Sequence, residues 1–204
     1  MTTEPLAPGK RDPEARRLAI LRAAAEIIVT RGPGALTHRA VASQAGVALG
    51  STTQYFASID ELREAAFVVL AEEVDASLAS FAPHLPTMLA DPAGVIDEVL
   101  NYLNDARAVS ADIALLSSAT TEPRLLELAL RWTDKLIDML SAHIGHDRAE
   151  AVATYIDGAT IQAGLRPESV TREGVTLALT SLAGIHTSSH PTSTTGHPPE
   201  KSDA

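Results

Sequence analysis

Cysteine is absent from this sequence of 204 residues, and aromatic side chains are scarce, with one Trp, three Tyr and three Phe. The absence of cysteine excludes disulfides, thiolate catalysis and cysteine-ligated zinc, and it allows a reducing compartment. No apolar run approaches the ~18 residues that a membrane span needs, and the N-terminus lacks the apolar core of a secretory signal. We therefore expect a cytoplasmic protein that does not enter a membrane.

Positive charge is also scarce, but it is concentrated near the N-terminus. The net charge of the chain is −10, yet residues 10–58 hold seven Lys or Arg against three Asp or Glu, a net charge of +4. Glu4 adds −1, so residues 59–204 carry a net charge of −13. This division predicts a cationic head that approaches phosphate groups and an anionic body that repels them.

Apolar residues recur at helical spacing along the chain, and no segment shows the sustained alternation that is typical of a strand. In the first helix the apolar stripe consists of Leu18, Leu21, Ala25 and Ile28, with Asp12 as the N-terminal cap. We predict an all-α protein of about nine helices with no sheet.

The segment "THRAVASQAGVALGSTTQYF", residues 37–56, has the features of a helix-turn-helix. Ala42 is small at the point where a second helix crosses the first, and Gly46 tolerates the positive φ that a tight turn requires. Val41 and Val47 are placed to wedge the two helices together. The pattern predicts two short helices around Gly46, the second of which is presented outward.

The second of these helices carries a run of small polar side chains, Ser51, Thr52, Thr53 and Gln54. Gln pairs with adenine, Ser and Thr hydrogen-bond several base edges, and a glycine allows the backbone to come close to DNA. We interpret this run as the surface of a helix that enters a DNA groove. The alternative is an amphipathic helix pair in an all-α core, whose Ser and Thr side chains merely face solvent.

The segments "AILRAAAEIIVTRG", "LTHRAVASQAGV", "GSTTQYF" and "SIDEL" together resemble the DNA-binding domain of the TetR family of transcriptional regulators. The resemblance covers about residues 14–62 and implies a homodimer that represses genes until a small molecule enters its C-terminal domain. The predicted parts of the chain are then a flexible arm at 1–10, a helix-turn-helix DNA-binding domain at 11–58, a helical ligand-binding and dimerisation domain at 59–186 and a disordered tail at 187–204.

The resemblance also implies which residues contact DNA. Thr37 corresponds to the cap residue that contacts phosphate, and Arg39 assists it. The other expected contacts lie on the second helix of the pair. They are Leu49, Gly50, Ser51, Thr53, Gln54 and Tyr55.

Two positions of this segment depart from the family's pattern. Thr53 stands where the family usually has Tyr, which removes a long ring that reaches phosphate or thymine. Ile59 stands where the family usually has Lys, which removes a phosphate contact. We expect Arg11, Arg16 and Arg17 to compensate as an N-terminal arm, and the salt dependence of binding reports the number of phosphates that are met.

The body is expected to hold both the dimer interface and the effector site. By the resemblance, "RAEAVATYIDGATIQAGL" and "GVTLALTSLAGI" are the helices that pair across a two-fold axis. The alternative is that their apolar stripes face the chain's own core. Those stripes consist of Val152, Ile156, Ala159, Ala163, Val175, Leu179 and Leu182.

Tyr102, Trp132 and Tyr155 are the candidate effector-binding residues, because they are almost the only aromatic residues of the body and binding pockets are mostly apolar. The acidic excess of the body favours a cationic effector, and a solvated acidic surface is the alternative explanation.

No enzyme motif is present: the sequence has no Gly-rich phosphate loop, no nucleophile elbow and no His-Glu-x-x-His. We predict no cofactor and no metal, because His186, His190 and His197 lack rigid spacing and carboxylate partners. A ligand-responsive regulator is therefore expected rather than an enzyme. Two alternatives stay open: an all-helical small-molecule-binding protein or enzyme with a non-functional helix-turn-helix, and a protein-interaction module that uses the same helix pair.

Overall fold

The structure is a computed structural model in which the chain forms α-helices. The model does not describe the predicted arm at 1–10 or the predicted tail at 187–204. Arg11 and the histidines His186, His190 and His197 also lie outside the described residues. Throughout the part described no strand occurs, which confirms the predicted all-α class. The described residues are 12–90, 92–166, 168 and 170–184, the side chains of 88–90 excepted.

Short loops and 3₁₀ turns join the helices. No described helix is both long enough and apolar enough to cross a lipid bilayer. The helices are α1 (Pro13–Arg31), α2 (His38–Ala45), α3 (Leu49–Tyr55), α4 (Ile59–Phe81), α5 (Leu85–Ala90), α6 (Pro92–Asn104), α7 (Ala106–Ala119), α8 (Leu126–Ile144), α9 (His146–Leu165) and α10 (Arg172–Ala183).

The ends of α1 follow from its sequence. The Asp12 carboxylate accepts a hydrogen bond of 3.0 Å from the backbone N–H of Glu14, and Pro13 occupies the first helical position. Gly32 ends the helix with a φ of +81°. The buried face of α1 begins at Ile20, whereas Leu18, which was predicted to belong to the stripe, keeps 39% of its surface exposed.

Two separate groups of buried apolar residues form the cores of the molecule. The first joins α1 to α4 and includes Ile27 and Phe67, and the second fills the body and includes Ile156. Helix α7 contributes to both, with Leu115 in the first core and Val109 in the second. The helix-turn-helix therefore packs on helices that also form the walls of the body.

The apolar stripes that were predicted to meet a second copy face the second core instead. Six of the seven residues are at most 8% exposed and Leu182 is half-buried, so the alternative reading of those stripes is correct. The reason is that α9 and α10 each carry a second, outward apolar surface. On that surface Ile161, Leu165 and Leu177 are exposed by 44%, 71% and 69%.

Candidate nucleic-acid interface and ligand cavity

Helix α2 begins at the predicted cap. The Thr37 hydroxyl oxygen accepts a hydrogen bond of 3.1 Å from the backbone N–H of Ala40, and Thr37 itself is exposed. The first amides of α2 point in the same direction as this cap, so the helix start has the donors that a phosphate oxygen accepts from. Arg39 lies exposed in the first turn of α2 and adds a positive charge there.

The turn after α2 has the predicted geometry. Gly46 adopts the left-handed conformation, with φ +65° and ψ +32°, and the Val47 N–H donates to the Ala42 carbonyl at 3.0 Å. Val41 is fully buried, and Val47 and Tyr55 pack partly buried against the first core. These contacts hold α3 across α2 and turn the opposite face of α3 outward.

Four of the residues expected to contact DNA are exposed on α3: Leu49, Gly50, Thr53 and Gln54. Ser51 and Tyr55 are half-buried. Thr52, which the run of polar residues placed on the outward surface, is instead fully buried. Its hydroxyl donates to the Leu49 carbonyl at 2.8 Å, so a Thr at this position satisfies its polar atom within the helix and packs its methyl group inward.

Gly50 has no structural requirement for glycine. It lies inside a helix with an ordinary φ, and a Cβ atom built there meets nothing within 4 Å. Glycine costs roughly 0.5–1 kcal/mol relative to alanine in a helix interior and less in the first turn, where Gly50 lies. Its presence on the outward face therefore points to a partner whose surface comes close to the backbone.

The cations expected to form an N-terminal arm are part of a helix where the structure describes them. Arg16 and Arg17 lie in α1, and the Arg17 guanidinium stands 5.6 Å from the centre of the Phe56 ring. Ile59, which replaces a Lys of the family, packs partly buried against the first core. The start of α4 is capped, because the Glu61 N–H donates to the Ser58 hydroxyl at 3.1 Å.

A cavity of about 100 Å³ lies in the body among α4, α5, α6, α8, α9 and α10. Its walls are mostly apolar, and two of the predicted effector residues, Tyr102 and Trp132, meet there with their rings stacked 6.1 Å apart at 18°. Tyr155 is not part of this cavity and lines a groove between α9 and α10.

A smaller cavity of about 20 Å³ lies on another side of Trp132, between α4, α7, α8 and α9. Three carboxylates line it, of which Asp75 is paired with Arg131 and Lys135 and the other two are Asp112 and Asp157. The Tyr102 hydroxyl donates a short hydrogen bond to Asp112 and lies 3.2 Å from the Thr160 hydroxyl. Tyr102 thus joins the aromatic wall of the larger cavity to the polar groups around the smaller one.

Burial determines the protonation of these groups. It raises the pKa of the Asp112 carboxyl to about 6, to which the charge of Asp157 adds, while the hydrogen bond from Tyr102 opposes the rise. Burial also raises the pKa of Asp157, although the Thr133 hydroxyl donates to it at 3.4 Å. The pKa of Tyr102 is raised far above its usual range by burial and by the charge of Asp112.

Residues 20–66, from α1 into α4, match the family profile of bacterial regulatory proteins of the tetR family. Over these residues the chain is similar to the TetR family. The match covers the helix-turn-helix and the helix that leaves it, which are the segments whose caps and turn have the predicted geometry.

Solved structures of TetR-family proteins resemble the whole described fold. A member of the family from Streptomyces coelicolor A3 is 29% identical over 82% of this chain and 97% of its own, with a TM-score of 0.69. The multidrug binding protein EbrR, complexed with proflavin, is 29% identical over 82% of this chain and 99% of its own, with a TM-score of 0.65. No curated protein sequence matches the chain significantly.

Sequence reasoning did not find the carboxylates of the body. Asp112 and Asp157 sit in "ADIALL" and "TYIDGAT", each a charged residue among apolar ones on a helix. That contrast is the signal that could have found them. Their closeness to Tyr102 depends on how α6, α7 and α9 pack, which the helical pattern of one chain does not determine.

Proposed function

We propose that this TetR-family protein is a homodimeric repressor that binds a near-palindromic operator and leaves it when a small molecule occupies the body. The observation that supports DNA reading most strongly is the outward face of α3, on which Gly50 and Gln54 are exposed. The fold itself does not require glycine at position 50. The proposed DNA contacts are Thr37, Arg39, Leu49, Gly50, Ser51, Thr53, Gln54 and Tyr55. Residues 11–58 form the DNA-binding part and residues 59–186 the responsive part, and the protein acts in the cytoplasm.

The second copy is proposed to pack on the outward surface of α9 and α10. Gly158, Ile161 and Leu165 follow one another along one face of α9, and Leu177 is exposed on α10. A Cβ atom at Gly158 would meet nothing within the chain, so this position allows close approach of another helix. A two-fold dimer presents two α3 helices to half-sites one helical turn apart, which accounts for a near-palindromic operator.

The effector is proposed to bind in the cavity beside Tyr102 and Trp132. Structures of EbrR have been solved with proflavin, malachite green and ethidium, so a similar fold accommodates flat aromatic molecules. The cavity of about 100 Å³ is smaller than the roughly 300–1,000 Å³ of most ligand sites. Binding must therefore move the walls, and α4 is one of them.

Movement of α4 links the cavity to the DNA-binding part. Ser77 and Leu78 of α4 line the cavity, and Leu62 and Phe67 of the same helix lie in the first core with α1. An effector that binds the widened body better than the narrow one shifts the population towards it. In that state we expect the distance between the two α3 helices of the dimer to differ from the distance between the operator half-sites.

The test is release of the protein from DNA by an aromatic ligand. A fluorescent duplex from the region upstream of the protein's own gene is bound, and its anisotropy is followed as proflavin is added. We expect release in the wild type, and a ligand requirement at least about tenfold higher in Tyr102→Leu. The control variant Leu130→Ala changes an exposed residue of α8 that lines neither this cavity nor the groove between α9 and α10, and it is expected to respond like the wild type. Equal responses of the two variants would place the effector elsewhere, and turnover of the ligand would support an enzyme.

A further inference from the structure

Two half-buried carboxylates in the body lie beside uncharged hydrogen-bond donors. Asp112 accepts its hydrogen bond from Tyr102 and Asp157 accepts one from Thr133, and both donors are uncharged hydroxyls. No ion pair found among the described residues includes either carboxylate. The nearby cation Arg131 is already paired with Asp75, which Lys135 also contacts at 2.6 Å.

A half-buried carboxylate without a cation is energetically unfavourable, and two such groups that repel each other are more so. The structure shows the consequence in the raised pKa of both groups. Asparagine would fill the same space and accept the same hydrogen bond from a hydroxyl without the penalty. Packing and hydrogen bonding in this region therefore leave the two negative charges unexplained.

The position of the carboxylates relates them to the cavity. Trp132 lines both the larger cavity and the smaller one in which Asp112 and Asp157 lie. Tyr102 lines the larger cavity with its ring and reaches Asp112 with its hydroxyl. The stacked rings are thus the part of the larger cavity's wall that lies next to the two carboxylates, and aromatic faces themselves attract a cation.

We propose that the effector is an aromatic cation whose positive group lies against Asp112 and Asp157 while its apolar part occupies the cavity beside Tyr102 and Trp132. This inference rests on the proposed function, since it names the chemical class that the same cavity selects. The incoming charge supplies the partner that the carboxylates lack. The other charged groups that line either cavity are Asp75, Glu98 and Arg131, and Asp75 is shared between Arg131 and Lys135.

The test compares a cation with an uncharged molecule of similar shape. Proflavin is the cation and acridone the neutral tricycle, and quenching of Trp132, the single tryptophan of the chain, reports occupancy of the cavity. The full-length wild type is compared with Asp112→Asn, Asp157→Asn and the double variant. The control is Asp138→Asn, which removes an exposed carboxylate from α8, the helix that carries Trp132.

We expect the double variant to bind proflavin at least about tenfold more weakly, as the loss of a charge-assisted contact predicts, and to bind acridone within about twofold of the wild type. The Asp138→Asn variant is expected to bind both like the wild type. Acridone binding also shows that the variant cavity is folded. Equal weakening of both ligands, or unchanged proflavin binding, would overturn the proposed charge recognition while leaving the cavity as the effector site.

A second arm uses ethidium, whose charge does not depend on pH. In the wild type its affinity is expected to fall several-fold between about pH 7.5 and pH 5, as protonation of Asp112 removes one negative charge. The fall is expected to be smaller in Asp112→Asn. A pH profile that is the same in both proteins contradicts the proposal. If proflavin, ethidium and acridone all fail to quench Trp132 in the wild type, the cavity itself is not the effector site. That result would also contradict the effector binding in the proposed function.

Discussion

Gly46 and Gly50 lie four residues apart in the helix-turn-helix and are glycine for different reasons. Gly46 has a φ of +65°, which favours glycine because a side chain is strained there, whereas Gly50 has an ordinary helical backbone and open space around it. The fold therefore favours glycine at position 46. We interpret Gly50 as a position where a partner molecule comes close to the backbone.

Replacing Gly50 by alanine is expected to separate stability from binding. The variant gains up to about 0.5 kcal/mol in the free energy of unfolding, because alanine favours the helix and Gly50 lies in its first turn. Its affinity for the operator falls about tenfold, because the added methyl group holds the DNA away. Urea unfolding and DNA titration of the same preparation measure both effects. A variant that is more stable and binds DNA as well as the wild type would remove Gly50 from the interface.

The turn residue Gly46 is expected to behave differently. Alanine there costs about 1 kcal/mol of stability, because a Cβ atom disfavours the left-handed conformation although no neighbour is in its way. Asparagine tolerates this conformation better and costs less. Urea unfolding of Gly46→Ala and Gly46→Asn checks the order, and an equal loss in both would indicate a packing cause instead of a backbone cause.

Asp112 predicts an unusual dependence of stability on pH. Its pKa is about 6 in the folded chain against 3.8 for the ordinary residue, so the folded state binds the proton more tightly. Stability from this group is therefore present at low pH and is lost as the pH rises through about 6. Going from about pH 7.5 to pH 5 gains about 1 kcal/mol per subunit relative to Asp112→Asn. Urea unfolding at fixed protein concentration measures the difference, and a pH-independent difference would contradict the burial of this charge.

At the scale of helices, the sequence predicts the residues at which several helices begin or end, but it does not predict which face of a helix is buried. Asp12, Thr37 and Gly46 act at helix ends as predicted, because capping depends on residues within a few positions of one another. Which of two apolar faces turns inward depends on the neighbouring helices. For that reason the stripe through Ile156 was assigned to a partner although it packs on the chain's own core.

The same distinction applies to the candidate site. Thr52 belongs to a polar run in the sequence but lies inside the first core, since threonine can satisfy its hydroxyl on its own helix. Tyr102 and Trp132 were found because aromatic residues are scarce in the body. Their contact, and the nearby Asp112, result from packing between helices that are distant in sequence.

The outward surface of α9 and α10 provides a prediction at this scale. Leu177→Lys places a charge in the proposed dimer interface and is expected to give monomers, because an unpaired buried charge is strongly unfavourable. Leu126→Lys is the matched control, since Leu126 is also exposed, by 49%, but lies on α8. Sedimentation velocity measures the mass of each variant. A dimeric Leu177→Lys protein, or two monomeric variants, would contradict the proposed interface.

For the molecule as a whole, the distribution of charge and the two cores divide the chain into a cationic head and an anionic body. Residues 10–58 carry a net charge of +4 on a chain whose net charge is −10, so the head approaches DNA while the body is repelled. The helices α4 and α7 enter both cores, and a change in the body therefore reaches the head through packed residues. The described fold resembles that of the multidrug binding protein EbrR.

The most direct test of this account is the selection of bound duplexes from a random DNA pool at two salt concentrations, with the wild type and Gln54→Ala. The account predicts that the wild type enriches a near-palindrome, that recovery falls steeply at the higher salt concentration, and that the enriched bases change or disappear in Gln54→Ala. No enrichment at either salt concentration would contradict it, because the helix-turn-helix would then not read DNA and a carrier or protein-interaction role would take its place.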